Sequence, residues 1–278
     1  VETPVMSMAN VSDANLKAVV AQCGGEPRYL QTSPEYPMKR LLAAGSGDIY
    51  QICKTFRDEE QGSRHNPEFT MLEYYRLGFN LKTLMDEVAQ LVGDYLNIQN
   101  RNNFEYQKAM LRFAKVDPFM ASDSELRAML TQYVGEDLEL SRDECLDLIM
   151  SYLVEPNLPK NSLVLIYHYP ASQAALAKTS KDYQGNNIAK RFELYVNGLE
   201  LANGYDELTD VSEQKKRFES EKQKNSSNDT PQDELFLKAL EAGLPECSGV
   251  ALGLDRILML KQTAKKISDV LAFTFSNA

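Results

Sequence analysis

The segment Ile49–Arg76, IYQICKTFRDEEQGSRHNPEFTMLEYYR, decides the fold. Residues 49–57 and 69–76 are rich in β-formers, while Gly62, Asn66 and Pro67 break regular structure between them. The stretch therefore predicts two strands joined by a long charged loop. Side chains alternate across a strand, which puts Phe69, Met71, Glu73 and Tyr75 on one face of the second one. On the first strand Arg57 shares a side with Thr55 and Cys53 and then runs into Asp58, Glu59 and Glu60. Spacing alone favours the plainer reading of that crowd of charges, a solvated hairpin end with surface ion pairs.

Upstream, Ser33 reads as a helix N-cap with Pro34 at the first helical position and Glu35 complementing the positive helix end. Residues 12–31 show no periodicity, and Gly24-Gly25 marks a loop. Downstream, Leu81, Leu84, Met85, Val88, Leu91, Val92, Tyr95 and Leu96 follow the helical period and predict a core-packed helix. Further helical patterns at 105–115, 123–134 and 142–154 predict a mainly helical insertion over about 81–160. Leu163 to His168 reads as a short apolar strand, with His168 structural rather than catalytic.

Arg191 to Ala202, RFELYVNGLELA, predicts a β-hairpin turning at Asn197-Gly198. Pairing Val196 with Leu199 and Tyr195 with Glu200 places Glu193, Tyr195, Glu200 and Ala202 on one face. Glu193 and Glu200 then have β-carbons on the order of 7 Å apart, and two carboxylates so close repel unless a cation lies between them. Either a pair of solvated acids or an Mg²⁺ site fits that geometry. Near the end, 248–259 reads as a small-residue strand turning into a helix whose first turn carries Arg256. A cation there opposes the helix dipole and is better explained by an anion at the site.

Composition bounds the rest. The 278 residues are 43% hydrophobic and 25% charged, ordinary for a globular chain long enough for a substantial core. No apolar run approaches the roughly 18 residues of a membrane span, so a cytoplasmic protein is expected. Cys23, Cys53, Cys145 and Cys247 form no C-x-x-C pair, and His65 and His168 are too few for a multi-histidine metal site. A formal charge of −10 opposes broad polyanion affinity.

Phe56-Arg57-x-Glu59 followed by His65-Asn66-Pro67-Glu68-Phe69-Thr70-Met71-Leu72-Glu73 resembles motif 2 of the class II aminoacyl-tRNA synthetases, in their lysyl branch. Val1-Glu2-Thr3-Pro4 resembles the end of motif 1, and the segment around Gly253 and Arg256 resembles motif 3. The resemblance implies a single α+β catalytic domain over 1–278, with an antiparallel sheet flanked by helices, and a homodimer. It implies ATP contacts from Arg57, Asp58, Glu59, His65, Asn66, Phe69, Glu200, Leu201, Gly253 and Arg256, with the two arginines catalytic. Asp58 stands where the family carries asparagine. Ser33, Pro34, Glu35, Glu73, Tyr75, Asn203, Glu207 and Ala251 would bind the amino acid, and Glu193 and Glu200 would hold Mg²⁺ on ATP. Among free-standing members of the branch, without the anticodon-binding barrel, the implied reaction is activation of (R)-β-lysine, and more weakly α-lysine. The acceptor implied is a lysine of translation elongation factor P, with tRNA lysylation or a non-catalytic amino-acid sensor as alternatives.

Overall fold

The computed structural model describes residues 1–9, 16–58, 60–135, 139–224 and 231–278. They form two compact units, Val1–Asn80 with Glu207–Ala278, and Leu81–Asp206. The first unit opens with β1 (Met6–Ser7), β2 (Val20–Cys23) and β3 (Glu26–Leu30), antiparallel in the order β1-β3-β2. Part of the stretch that shows no sequence periodicity is thus a hairpin. Gly24 and Gly25 turn it with φ of 63° and 84°, the positive angles of a two-residue turn. Its strands are mostly exposed or half-buried, so no apolar alternation betrays them.

Helix α1 (Glu35–Ala43) follows, then β4 (Ile49–Phe56) and β5 (Glu68–Leu77), the predicted strand pair. Ser33 Oγ accepts from the Glu35 N–H at 3.5 Å, as expected at a helix start, while the regular helix begins after Pro34, one residue later than the sequence reading placed it.

The second unit contains α2 (Leu81–Leu96), β6 (Arg101–Glu105), α3 (Tyr106–Ala109), α4 (Asp123–Val134) and α5 (Arg142–Ile149). Helices α3 and α5 each run on into a π-helical turn, Met110–Ala114 and Met150–Val154. Ser122 and Ser141 cap α4 and α5 in reciprocal boxes with Glu125 and Glu144. Strands β7 (Leu163–Pro170), β8 (Thr179–Lys181), β9 (Asn187–Val196) and β10 (Leu199–Asp206) complete the unit. Its sheet runs β10-β9-β7-β6 with β8 on β9, antiparallel except for β6 with β7. Tyr106, Met110, Leu126, Leu130, Leu146, Ile149, Val164 and Ile166 fill its core.

The chain then returns to the first unit with α6 (Val211–Lys224), α7 (Glu234–Gly243), β11 (Cys247–Gly253) and α8 (Leu254–Lys261). Strand β11 pairs antiparallel with β5, which pairs on its other side with β4. Helix α1 packs on α7 through Tyr36 and Phe236, stacked with ring centroids 4.3 Å apart. Each unit is thus antiparallel sheet with helices against it, an α+β arrangement. Among the described residues no helix is long and apolar enough to cross a membrane.

The β9–β10 turn is where the second unit tolerates least change. Gly198 has φ of 77°, and a Cβ there would lie 2.5 Å from the carbonyl oxygen of Glu155. Gly198→Ala is expected to destabilise the protein by about 2 kcal/mol or more, read as a lowered Tm in thermal unfolding.

Candidate active site

The register of β5 builds the first half of the site. Gly249 of β11 lies opposite Tyr75, and Ala251 opposite Glu73. On the other edge Gln51 of β4 also faces Glu73. Glu73 and Tyr75 are buried, and the phenol donates to Glu73 Oε1 at 2.6 Å. A Cβ on Gly249 would come within 2.4 Å of both Glu207 Oε1 and the Tyr75 ring, so only glycine lets those groups lie against the strand. Glu207 itself is 1% exposed.

Lys39, one turn along α1 from Glu35, enters this cluster. Its ammonium lies 2.5 Å from Glu35 Oε1 and 2.6 Å from Glu207 Oε2, and the residue is 1% exposed. Burial works against its charge, yet Glu207 and Glu35 outweigh that and hold Lys39 protonated, its pKa above the ordinary value. Glu73 responds in the opposite sense: burial first, then the charge of Glu35, push its carboxyl up to about 8. The Tyr75 hydroxyl is raised well above its usual value by burial and by Glu73. Thus Glu35, Glu73, Tyr75 and Glu207, all expected from the resemblance, do come together, and they come with an internal cation.

The two arginines expected to contact ATP belong to the same unit. Arg57 follows β4, its guanidinium 5.1 Å from the centroid of the Phe69 ring. Its Nη1 lies 3.7 Å from Glu60, and its backbone N–H is tied to Pro67 at 2.9 Å. Arg256 stands in the first turn of α8, where Nε donates to the Arg64 carbonyl at 3.3 Å and Nη2 lies 2.5 Å from His65 Nε2. Burial, then the Arg256 charge, lowers the pKa of His65, which suits a neutral ring accepting that bond. Asp255 takes the Thr70 backbone N–H at 2.7 Å and locks the start of α8 to β5. Asn66 uses its side chain on the chain itself, donating to the Glu68 carbonyl at 2.6 Å and accepting from Phe275 N–H at 3.1 Å. Asp58 is half-exposed, 3.7 Å from Lys17, and Glu59 lies outside the described residues. Gly253 has an ordinary backbone, and a Cβ there would meet only Arg256 carbons at 3.8–4.0 Å, so protein packing does not demand glycine.

The second unit carries the other carboxylates. Leu199 and Glu200 pair with Val196 and Tyr195 as expected, but a bulge follows, and Asn203 rather than Ala202 faces Glu193. Arg191 donates to Glu193 Oε1, to the Asn203 side chain at 3.2 Å and to the Gln173 carbonyl at 3.0 Å. The hydroxyls of Tyr169 and Tyr195 donate to Glu193 Oε2. Arg191 is the nearby cation that paired acids call for: burial opposes its charge, but Glu193 and, more weakly, Glu200 raise its pKa. Beside this network burial lifts Asp147 to about 6 against the pull of Arg191. Among the described residues no three His, Cys, Asp or Glu side chains gather to hold a metal. An ion carried on phosphates needs only one or two carboxylates, and Glu193 Oε1 keeps an acceptor position beside its Arg191 bond. The pair therefore fits Mg²⁺ delivered with a nucleotide better than an ion caged by protein alone. Leu201, beside Glu200, is buried.

Lys39, Gly249 and Arg191 were not read as site residues from the sequence. Lys39 is flanked by Arg40 and looks like a solvated basic pair, although its i+4 spacing from Glu35 was available as a signal.

The family described as class II tRNA synthetases (D, K and N) matches residues 1–277. The whole chain aligns with proteins named elongation factor P–(R)-β-lysine ligase and covers 89% of each. Identity is 47% to that of Edwardsiella ictaluri, 46% to that of Salmonella typhi and 44% to that of Pectobacterium carotovorum.

The raised carboxyl of Glu73 makes stability depend on pH. Its folded pKa of about 8 exceeds the ordinary 4.5, so its contribution is fully present below 4.5 and is lost as pH rises through 8. From about pH 5 to pH 8.5, urea unfolding of Glu73→Gln is expected to lose less stability than the wild-type protein does.

Proposed function

As this chain belongs to the class II tRNA synthetase family, we propose that it is an ATP-dependent ligase that activates (R)-β-lysine, and α-lysine more weakly. The acceptor in this reading is a lysine ε-amino group of elongation factor P. The amino-acid carboxylate attacks the α-phosphorus of ATP and pyrophosphate leaves, giving an aminoacyl adenylate. The acceptor amine then attacks the acyl carbon, AMP departs, and the amine loses its proton as the amide forms. No side-chain nucleophile is required, so the work is positioning and charge stabilisation.

The observation that carries this reading is the cluster of buried Glu73, Tyr75 and Glu207 with partly buried Glu35, in the same unit as Arg57 and Arg256. A compact ammonium needs paired, hydrogen-bonding acids when it leaves water, and this cluster supplies them. The planar forks of Arg57 and Arg256 suit phosphoryl oxygens that gain charge. Gly253, which the fold itself does not require, is explained by close approach of the nucleotide. In this reading Asp58, Glu59, His65, Asn66, Phe69 and Leu201 surround the nucleotide, while Ser33, Pro34, Asn203 and Ala251 line the amino acid. Glu193 and Glu200 hold Mg²⁺, which neutralises phosphate charge when bound.

The names of the relatives favour elongation factor P over tRNA as acceptor, and the formal charge of −10 agrees with weak attraction to a polyanion. A homodimer and a cytoplasmic location belong to the same reading. For the dimer, Tyr50 and Ile52 on β4 are 64% and 58% exposed, and the Val1 ammonium bonds the Tyr50 carbonyl at 2.9 Å. The sheet face beside motif 1 is therefore apolar and open.

The test is to incubate the protein with ATP, one lysine isomer, and either elongation factor P or tRNA. A mass gain of one lysyl group on elongation factor P, larger with the β-isomer, is expected; a charged tRNA and unmodified elongation factor P would overturn the acceptor assignment. Arg256→Ala is expected to slow lysine-dependent pyrophosphate–ATP exchange by roughly a hundred-fold or more, with thermal stability little changed.

A further inference from the structure

Lys39 has no part in the roles assigned so far, yet among the described residues of the first unit it is a fully buried cation, 1% exposed. Lysine is almost never fully buried unless paired, and here the pairing is with two carboxylates from distant parts of the sequence. Glu35 comes from the start of α1 and Glu207 from the segment before α6, 172 positions further along the sequence. The Lys39 ammonium reaches both, at 2.5 Å and 2.6 Å, and lies 6.0 Å from the Phe236 ring centroid of α7. The opposite oxygen of Glu207 rests against the bare Cα of Gly249 beside the Tyr75 ring. Both ends of that carboxylate are therefore held, one by a charge and one by shape.

We propose that Lys39 is a positioning residue of the amino-acid pocket, whose ammonium sets the charge and orientation of Glu35 and Glu207 so that the cluster takes one further ammonium. The proposal rests on the ligase reading and deepens it by naming what prepares the pocket for a diamine-bearing acid. The facing groups are Glu35 and Lys39 from α1, Glu73 and Tyr75 from β5, Gln51 from β4, Glu207, and Phe236 from α7. Fully ionised, three carboxylates against one ammonium would carry two excess negative charges in a buried space. Glu73 relieves this by keeping its proton up to about pH 8, which leaves one net negative charge. That is the complement of a single substrate ammonium. Without Lys39 the repulsion among Glu35, Glu73 and Glu207 goes uncompensated, and the Glu73 carboxyl is pushed higher still.

The test compares wild type, Lys39→Met and Lys39→Arg in pyrophosphate–ATP exchange driven by β-lysine, from pH 6.5 to 9. Lys39→Met is expected to raise the KM for the amino acid by roughly ten- to a hundred-fold at neutral pH, with the KM for ATP unchanged. The pH profile of that KM should also move upward, because the Lys39 charge that holds the Glu73 carboxyl down is gone. Lys39→Arg keeps the cation but not its fit, so a smaller rise with the wild-type pH profile is expected. A folded Lys39→Met with wild-type amino-acid KM and pH profile overturns the proposal. Should that variant not fold, Lys39→Arg decides: equal effects on both substrates, or none on either, overturn it. Wild type without lysine-dependent exchange overturns the ligase reading and this inference with it. An active wild type with insensitive Lys39 variants overturns this inference alone.

Discussion

The register of β5 between its two neighbours is the constraint on which the first unit depends. Strand side chains alternate with a period of two, so a slip of one residue would turn Glu73 and Tyr75 away from their partners. In the observed register Tyr75 meets Gly249, where any Cβ would strike its ring, and Glu73 meets the small Ala251. The same pairing carries β11 on into α8, and the bond from Thr70 to Asp255 pins that junction. Arg256 and the acidic cluster are thus hung from one pair of strands, and their spacing follows from backbone hydrogen bonds rather than from loops.

Both units solve the same electrostatic difficulty in the same way. Acids gathered in a poorly solvated place repel and take up protons unless a cation joins them. In the first unit the chain supplies Lys39 between Glu35 and Glu207, and in the second it supplies Arg191 to Glu193. Such buried pairs give little net stability, because desolvation consumes the Coulombic gain. What they do give is fixed orientation: Lys39 holds one oxygen of Glu35 and one of Glu207, while Arg191, Tyr169 and Tyr195 hold both oxygens of Glu193. Protons that stay behind, on Glu73 and in part on Asp147, mark where the internal cations do not fully balance the acids.

Much of this was legible beforehand because it is local. Strong β-formers around a loop of breakers specified β4 and β5, period-3.6 apolar residues specified α2, and Asn197-Gly198 specified the hairpin turn together with its first two cross-strand pairs. Motif order carried the family and brought Glu35, Glu73, Tyr75 and Glu207 to one place. The hairpin of β2 and β3 escaped because exposed strands show no alternation, though its Gly-Gly turn was present. The bulge after Glu200 escaped because no residue type there demands it, and it exchanged Ala202 for Asn203 opposite Glu193.

By itself, the sequence determined which segments are strands and helices, the family, and the chemical types gathered for an ammonium and a phosphate. Each of these depends on residues near one another or on their order along the chain. Only the tertiary structure decided that Lys39 stands among the glutamates and that Gly249 makes room for Tyr75. It alone decided that Arg191 is the cation beside Glu193. These are contacts between residues far apart in sequence, and whether a lysine is solvated or buried depends on what the rest of the fold packs over it.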